Sequence, residues 1–189
     1  MIKKLYGLVF VVGFVLDQVT KLWAESRFLD ASGFPNGEII PVIGDLFRFQ
    51  LAYNLGSAFS MRPQAIVPWL HPTLFYTLIS LLAIWGLYGY FKQVDPRDKG
   101  SKWGVILVLS GAMGNLADRF RIGKVVDFIS WDFPDVDFMG YAMNRWPVFN
   151  LADSWVMLGV GLLIFSPSIF IKKPKTSELE AKNQTEVEK

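Results

Sequence analysis

The chain has 189 residues, of which 52% are hydrophobic, and its mean hydropathy of +0.32 is high for a water-soluble globule. The formal net charge is only +2, which gives no electrostatic basis for binding nucleic acid. The absence of cysteine and the single histidine exclude a disulfide framework, a cysteine nucleophile and a His-rich metal site. These features are typical of an integral membrane protein.

Four hydrophobic segments predict four membrane-spanning helices. A spanning helix needs about 20 residues, and the run at 63–91 contains no Asp, Glu, Lys or Arg. The first and third runs reach that length only if their helices include flanking polar residues. The predicted helices cover residues 5–24, 73–91, 103–122 and 151–171.

The first segment is predicted to be a retained helix. Lys3 and Lys4 precede it, as in a cleaved signal peptide. However, Asp17 and Lys21 interrupt the apolar run, and no A-x-A-like cleavage site follows closely.

Basic residues predict the orientation of the helices. They cluster before the first helix, between the second and third, and after the fourth. Because such residues are enriched in cytoplasmic loops, both termini are predicted to be cytoplasmic. Residues 1–171 then form a single integral membrane domain, and the polar segment 172–189 is predicted to be a disordered cytoplasmic tail.

The sequences of the two outer loops are more regular than those of simple linkers. Partial alternation in "LFRFQLAY" predicts two or three short strands, bounded by Pro41, Gly44 and Gly56. The second loop, with "WDFPDVDFMGYAMNRWP", mixes aromatics and acids and is expected at the membrane interface. The predicted fold class is therefore membrane α-helical, with four transmembrane helices, a small extracytoplasmic β-rich cradle and a second outer loop.

Unusual polar residues are predicted to converge near the outer interface. At 1.5 Å per residue, Asp17 lies about 18 Å beyond Leu5 along the first helix. Charged groups inside a membrane usually face the bundle interior and have a partner or a function. The converging residues are Asp17, Lys21, Asn54, Asn115, Asp118, Arg119, Asp127, Asn150 and Asp153.

Each of these features also has a structural alternative. Asp17 and Lys21 are four residues apart, so they form either an internal charge pair or part of a site. Asn115 is equally compatible with a helix–helix hydrogen bond. Asn150 and Asp153 fit the first turn of a capped helix.

Carboxylates are the catalytic groups that remain available. An acid beside Lys21 keeps it charged, which disfavours Ser-Lys catalysis. Two close carboxylates share a proton, so one takes a proton from water while the other polarises a carbonyl. Such a pair hydrolyses an amide without metal or cofactor. Asp153 is the clearest candidate for one member, and the residues alone leave Asp118 and Asp127 open for the other.

Five stretches in order resemble the bacterial lipoprotein signal peptidase family. They are "DQVTK" (17–21), "NLGSAF" (54–59), "SGAMGNLADR" (110–119), "VVDF" (125–128) and "FNLAD" (149–153). The resemblance implies an aspartic intramembrane endopeptidase that removes the signal peptide from prolipoproteins by cleaving before the diacylglyceryl-modified cysteine. It also implies that the catalytic pair is Asp127 and Asp153, with Asp118 structural.

The resemblance implies further roles and partners. Substrate contact or support of the pair carries over to six residues: Asn54, Asn115, Arg119, Asn150, Asp17 and Lys21. The expected partners are diacylglyceryl-modified prolipoprotein signal peptides and membrane lipids. The enzyme is expected to work without metal or cofactor, as a monomer, in the bacterial inner membrane. One departure is Ser110, where the family often has glycine, and another is the long link between Asp127 and Asp153.

Two other classes of protein remain as alternatives. A small transporter or channel subunit also carries intramembrane charges, but its polar residues are expected along the full depth of the helices. A non-enzymatic membrane scaffold would tolerate Asp127→Asn and Asp153→Asn.

Overall fold

The computed structural model describes residues 2–55, 71–132, 136–138, 141–143 and 145–166. These residues form long helices and short strands. In chain order they are α1 (Ile2–Phe28), β1 (Ile40–Ile43), β2 (Phe47–Asn54), α2 (Pro72–Gln93), α3 (Lys99–Ile122), β3 (Val125–Trp131), β4 (Val136–Phe138), β5 (Tyr141–Met143) and α4 (Leu151–Ile164).

Helix α3 is the centre of the bundle, since it packs against α1, α2 and α4. Eleven of its residues are buried, whereas α2 buries none. In the described part of the chain, α1 and α2 are long and apolar enough to cross a membrane. Helix α3 is less apolar, since it carries five charged residues: Lys99, Lys102, Asp118, Arg119 and Arg121. Helix α4 is apolar but has only 14 residues, about 21 Å.

The observed helix ends differ from the predicted ones. Helix α1 continues to Phe28, past the predicted end at 24. Helix α3 begins at Lys99, before the predicted 103, because the Asp98 carboxylate caps it by accepting from the Ser101 amide at 2.9 Å. Helix α4 ends at Ile164, with Phe165 as its C-cap, and the predicted continuation over 167–171 lies outside the described residues. The predicted tail at 172–189 lies outside the described residues.

Glycines let α3 and α4 approach closely. A Cβ built on Gly104 would lie 2.8 Å from the Gly159 carbonyl oxygen, and one on Gly159 would lie 2.6 Å from the Gly104 oxygen. Ser110 takes the place of a glycine on α3 without spoiling the packing. Its buried hydroxyl donates to the Phe10 carbonyl of α1 at 3.1 Å.

The first outer loop forms strands, as its alternation predicts, but one boundary is wrong. Pro41 lies inside β1, paired with Arg48, and a register shift follows it. Strand β1 is at the edge of the sheet, where proline is tolerated. Gly44 lies in the turn with a φ of 51°, while Gly56 lies outside the described residues.

Strand β3 joins the two outer loops and was not predicted. It pairs antiparallel with β2 in the sheet order β1-β2-β3. Asp127 lies opposite Ala52, so Asn54, two residues further along β2, shares its face of the sheet. An apolar cluster of Ala24, Phe28 and side chains of β3 fixes this sheet to the end of α1.

Candidate active site

A buried lysine joins α1 to α3. The Lys21 ammonium lies 2.9 Å from Asp17 Oδ2 and 2.9 Å from Asp118 Oδ2, and it donates to Asn115 Oδ1 at 2.8 Å. Asp17, Lys21 and Asp118 are all fully buried. An ammonium has three donor hydrogens, so these three acceptors satisfy it. Asp17 and Lys21 therefore form the internal pair that their spacing allows, and Asp118 completes it.

The carboxylates of Asp17 and Asp118 also hold the chain segments that carry two further acids. Asp17 Oδ1 accepts from the Ala152 amide of α4 at 2.8 Å. Asp118 Oδ2 accepts from the Val126 amide of β3 at 3.1 Å. The lysine network thus fixes the residues immediately next to Asp153 and Asp127.

Asn150 and Asp153 form the first turn of α4. Asn150 Oδ1 accepts from the Asp153 amide at 2.9 Å, and Asp153 Oδ2 accepts from the Asn150 amide at 3.2 Å. This reciprocal capping box sets the Asp153 carboxylate at the positive end of the helix dipole. The sequence-predicted N-cap is present, and Asp153 is only half-buried there.

Two amide side chains connect Asp127 to Asp153. Asn150 Nδ2 donates to Asp127 Oδ1 at 2.7 Å and to Asn115 Oδ1 at 3.0 Å. Asn115 Nδ2 donates to Asp153 Oδ1 at 2.8 Å. A second donor to Asp127 is the side chain of Asn54. The four residues Asp127, Asn150, Asn115 and Asp153 therefore form one hydrogen-bonded chain, called below the carboxylate chain.

Asp127 has the properties of a proton carrier near neutral pH. It is 2% exposed, and this burial raises the pKa of its carboxyl to about 7, with the nearby Asp153 charge adding to the rise. Hydrogen bonds from Asn54 and Asn150 act in the opposite direction and favour the charged form. Asp127 is therefore protonated at higher pH than an ordinary aspartate.

Arg119 lies beside both acids. It interacts electrostatically with Asp153 and Asp127, and its Nη1 donates to the Asn115 carbonyl at 3.2 Å. Its guanidinium carbon is 5.9 Å from the centre of the Tyr76 ring. Its buried Nε has no hydrogen-bond partner among the described residues. The structure therefore brings together all the residues predicted for the site, with a cation at its edge.

One side chain of the site, Gln18, was missed from the sequence. Gln18 donates to Asp17 Oδ2 and to the Gly114 carbonyl, both at 3.1 Å. A side chain at Gly114 would collide with the Asp17 carboxylate, so glycine is required there. The available signal was the position of Gln18, a polar residue beside Asp17 in an apolar run.

A second polar cluster flanks the site on the sheet, and Arg121 joins it to Asp118 at 3.7 Å. Arg121 pairs with Glu25 at 2.7 Å, and the Tyr53 hydroxyl donates to Glu25 at 3.2 Å. Burial, with the Glu25 charge, raises the pKa of Tyr53 to about 12. Tyr53 is therefore a neutral hydrogen-bond donor here. The described residues include no group of three or more His, Cys, Asp or Glu arranged to hold a metal ion.

Apolar helices around two carboxylates that are joined through amide side chains define a helical membrane protein with a site suited to hydrolysis. The sequence profile described as "Signal peptidase (SPase) II" matches residues 9–169. The chain belongs to the signal peptidase II family. It is therefore a membrane protease, and the transporter and scaffold alternatives are set aside.

Similar proteins agree along most of the chain. The lipoprotein signal peptidase of Chlorobaculum tepidum is 35% identical, over 89% of this chain and 98% of that protein. The lipoprotein signal peptidase of Treponema denticola is 36% identical, over 93% of this chain and 98% of that protein. A solved structure described as a bacterial membrane enzyme is 26% identical and superimposes with a TM-score of 0.65, over 90% of this chain and 95% of that one.

Proposed function

We propose that this signal peptidase cleaves prolipoproteins immediately before their diacylglyceryl-modified cysteine, with Asp127 and Asp153 as its catalytic dyad. The observation that carries the proposal is the carboxylate chain, in which two amides join two acids from different elements. The relatives named lipoprotein signal peptidase support this class of substrate.

The two acids take different roles in the reaction. Asp153 carries the negative charge, since both of its oxygens accept hydrogen bonds at the start of a helix. Asp127 carries the proton, in agreement with its pKa of about 7. Asp153 takes a proton from a water molecule, whose oxygen attacks the scissile carbonyl carbon. The Asp127 proton passes to the carbonyl oxygen.

Collapse of the resulting diol completes the cleavage. The proton now on Asp153 passes to the peptide nitrogen, and Asp127 takes back a proton from one diol hydroxyl. The carbon–nitrogen bond breaks, which releases a carboxylic acid and an amine. Both acids end in their starting protonation states, so the enzyme needs no other reactant than water.

Other site residues position the dyad or the substrate. Asn54 and Asn150 orient Asp127, and Asn115 orients Asp153. The Nε of Arg119, which has no hydrogen-bond partner among the described residues, is a donor for a substrate carbonyl beside the dyad. Asp17 and Lys21 act indirectly, because their network holds the backbone next to the two acids.

The proposed setting is a single multi-pass domain, residues 1–171, in the bacterial inner membrane. Helices α1 to α4 cross the membrane, with both termini cytoplasmic and the dyad near the outer interface. The sheet β1-β2-β3 forms an outer cradle for the substrate. The exposed basic residues of the α2–α3 loop support this orientation. Because one chain supplies every site residue, it works as a monomer, in contact with membrane lipids.

The test is a gel-shift cleavage assay with purified protein in lipid. A prolipoprotein carrying diacylglyceryl on its cysteine is compared with the unmodified form. We expect cleavage of the lipidated form only, and a loss of roughly 10²–10⁴-fold in rate for Asp127→Asn and for Asp153→Asn.

Asp132→Asn is the matched control for these variants. Asp132 directly follows β3, five residues after Asp127, but it is partly exposed and pairs with Arg145 at 2.8 Å. It is expected to cleave within twofold of the wild type. Normal rates in both dyad variants would refute the mechanism. Equal cleavage of unmodified substrate would refute the role of the lipid.

A further inference from the structure

A groove of about 680 Å³ opens between α1, α2 and α3, and along α3 it runs from Lys102 to Met113, two residues before Asn115 of the carboxylate chain. Its walls include Gly7 and Phe10 of α1, Tyr88 of α2 and Leu109 of α3. Of the described residues that line it, Lys102 alone is charged. The volume is in the range of pockets that bind small molecules, about 300–1,000 Å³. The groove is therefore a long apolar slot with a cation at one end.

The length of the groove matches one leaflet of a membrane. Lining residues of α3 extend from Lys102 to Met113, which is about 16 Å along a helix. The hydrocarbon core of a bilayer is about 30 Å thick, so one leaflet is about 15 Å. An acyl chain lying along the groove would reach from the membrane surface to the midplane.

Aromatic rings hold two ammonium groups at the polar end. Lys102 Nζ lies 4.2 Å from the centre of the Phe91 ring, and Lys92 Nζ lies 4.4 Å from the centre of the Tyr88 ring. Both rings also line the groove. Cation–π contacts of this kind favour the charged lysines at the mouth of the groove.

The acids of the adjoining loop are occupied by hydrogen bonds within the protein. Asp98 accepts from the Ser101 amide at 2.9 Å and from the Ser166 hydroxyl at 2.8 Å. Asp95 accepts from the Arg97 amide at 2.8 Å. With Arg97 in this loop and Lys99 at the start of α3, the end of the bundle around the groove has an excess of positive charge.

We propose that the groove binds a phospholipid with an anionic headgroup. One acyl chain lies along α1, α2 and α3, and the phosphate lies between Lys102 and Lys92. A signal peptide fits less well, because its own amino-terminal region is positively charged and the lysines would repel it. The proposed orientation places the groove in the cytoplasmic leaflet. The chemistry of the ligand does not depend on that orientation.

Photolabelling tests the proposal on the full chain in vesicles. Phosphatidylglycerol with a diazirine on its acyl chain is compared with phosphatidylcholine carrying the same chain, and labelled residues are mapped by mass spectrometry. We expect phosphatidylglycerol to label groove residues more than phosphatidylcholine does, by about fivefold for each lysine that contacts the phosphate. Lys102→Gln should remove most of this preference, and Lys102→Arg should keep it. The matched control is Lys99→Gln, which removes the same charge from an exposed residue outside the groove lining.

A second pair of variants tests the acyl-chain site. A side chain at Gly7 meets no atom within 4 Å, so Gly7→Trp fills the groove and should abolish labelling. Gly86→Trp, at an open position on α2 outside the lining, should leave labelling unchanged. Equal labelling by the two lipids would overturn the proposal. Displacement of the label by an unlabelled prolipoprotein signal peptide would overturn it also, by assigning the groove to substrate. Should Gly7→Trp misfold, Lys102→Gln decides, and a cleavage assay of each variant reports separately on the proposed protease activity.

Discussion

Lys21 is a fully buried lysine whose ammonium faces two buried carboxylates, those of Asp17 and Asp118. Removing one partner of a buried ion pair leaves the remaining charge uncompensated, at a cost of about 3–5 kcal/mol. We therefore expect Lys21→Met to lower the thermal midpoint of the protein in detergent, and to lower activity with it. Lys4→Met, on the same helix but exposed, should change the free energy of unfolding by less than about 0.5 kcal/mol. Equal midpoints for the two variants would contradict this account of the network.

The proton on Asp127 predicts how cleavage depends on pH. Its pKa is raised to about 7, so Asp127 is protonated below that pH and charged above it. If it acts as the acid of the dyad, the rate falls above pH 7 by about tenfold per unit. The Asn54 hydrogen bond lowers this pKa, so Asn54→Ala should move the midpoint of the fall to higher pH. The check is the pH profile of kcat/KM for wild type, Asn54→Ala and Asn36→Ala, an asparagine in the loop after α1. A midpoint that moves down, or does not move, would exclude Asp127 as the titrating group.

The residues that the sequence predicts for the site lie together in the structure, but the sequence did not predict all their contacts. Asp17, Lys21 and Asn115 could be recognised because polar residues are rare in apolar runs and costly in a membrane. The choice between Asp118 and Asp127 rested on family resemblance. In the structure, Asp118 is committed to Lys21 and the Val126 amide, a tertiary arrangement that residue spacing does not specify.

Among the elements, β3 was the least predictable from sequence. Its first six residues are all buried, so it lacks the alternation by which β2 was recognised. A short apolar run of this kind does not distinguish a strand from the end of a helix. Pairing with β2 then places Asp127 and Asn54 on the same face, and this depends on contact between two loops far apart in sequence.

The close approach of α3 and α4 gives a prediction at the scale of these elements. A methyl group at Gly159 would lie 2.6 Å from the Gly104 carbonyl oxygen, so the two helix backbones must separate. We expect Gly159→Ala to destabilise the protein by about 1–3 kcal/mol, as in other overpacked interiors. Gly161→Ala, two residues along α4 with open space around it, should be neutral or stabilising by up to about 1 kcal/mol. Thermal midpoints of the two variants provide the comparison, and a Gly159→Ala protein as stable as Gly161→Ala would show that the contact is not tight.

At the scale of the whole molecule, burial within the protein explains why the helices differ in how clearly their composition predicts a membrane span. Helix α2 is apolar and buries none of its residues, so its sequence alone predicts a span. Helix α3 is enclosed by the other three and carries the polar groups of the site, which lowers its hydropathy although it is central. A span that faces protein does not need the composition of one that faces lipid. The proposal that all four helices cross the membrane therefore requires a direct test.

The lack of cysteine makes that test possible, because a single introduced thiol has no background. Three exposed positions are suitable: Asp45 in the turn after β1, Lys99 at the start of α3, and Pro147 before α4. In intact spheroplasts, a membrane-impermeant maleimide should label Asp45→Cys and Pro147→Cys, and should label Lys99→Cys only in inverted vesicles. Helix α2 lies between Asp45 and Lys99 in the chain, and α3 lies between Lys99 and Pro147. Each comparison therefore reports on whether one helix crosses the membrane. Labelling of Lys99→Cys and Pro147→Cys from the same side would mean that α3 does not cross, and the dyad would then lack the outer position on which access by a lipid-anchored substrate depends.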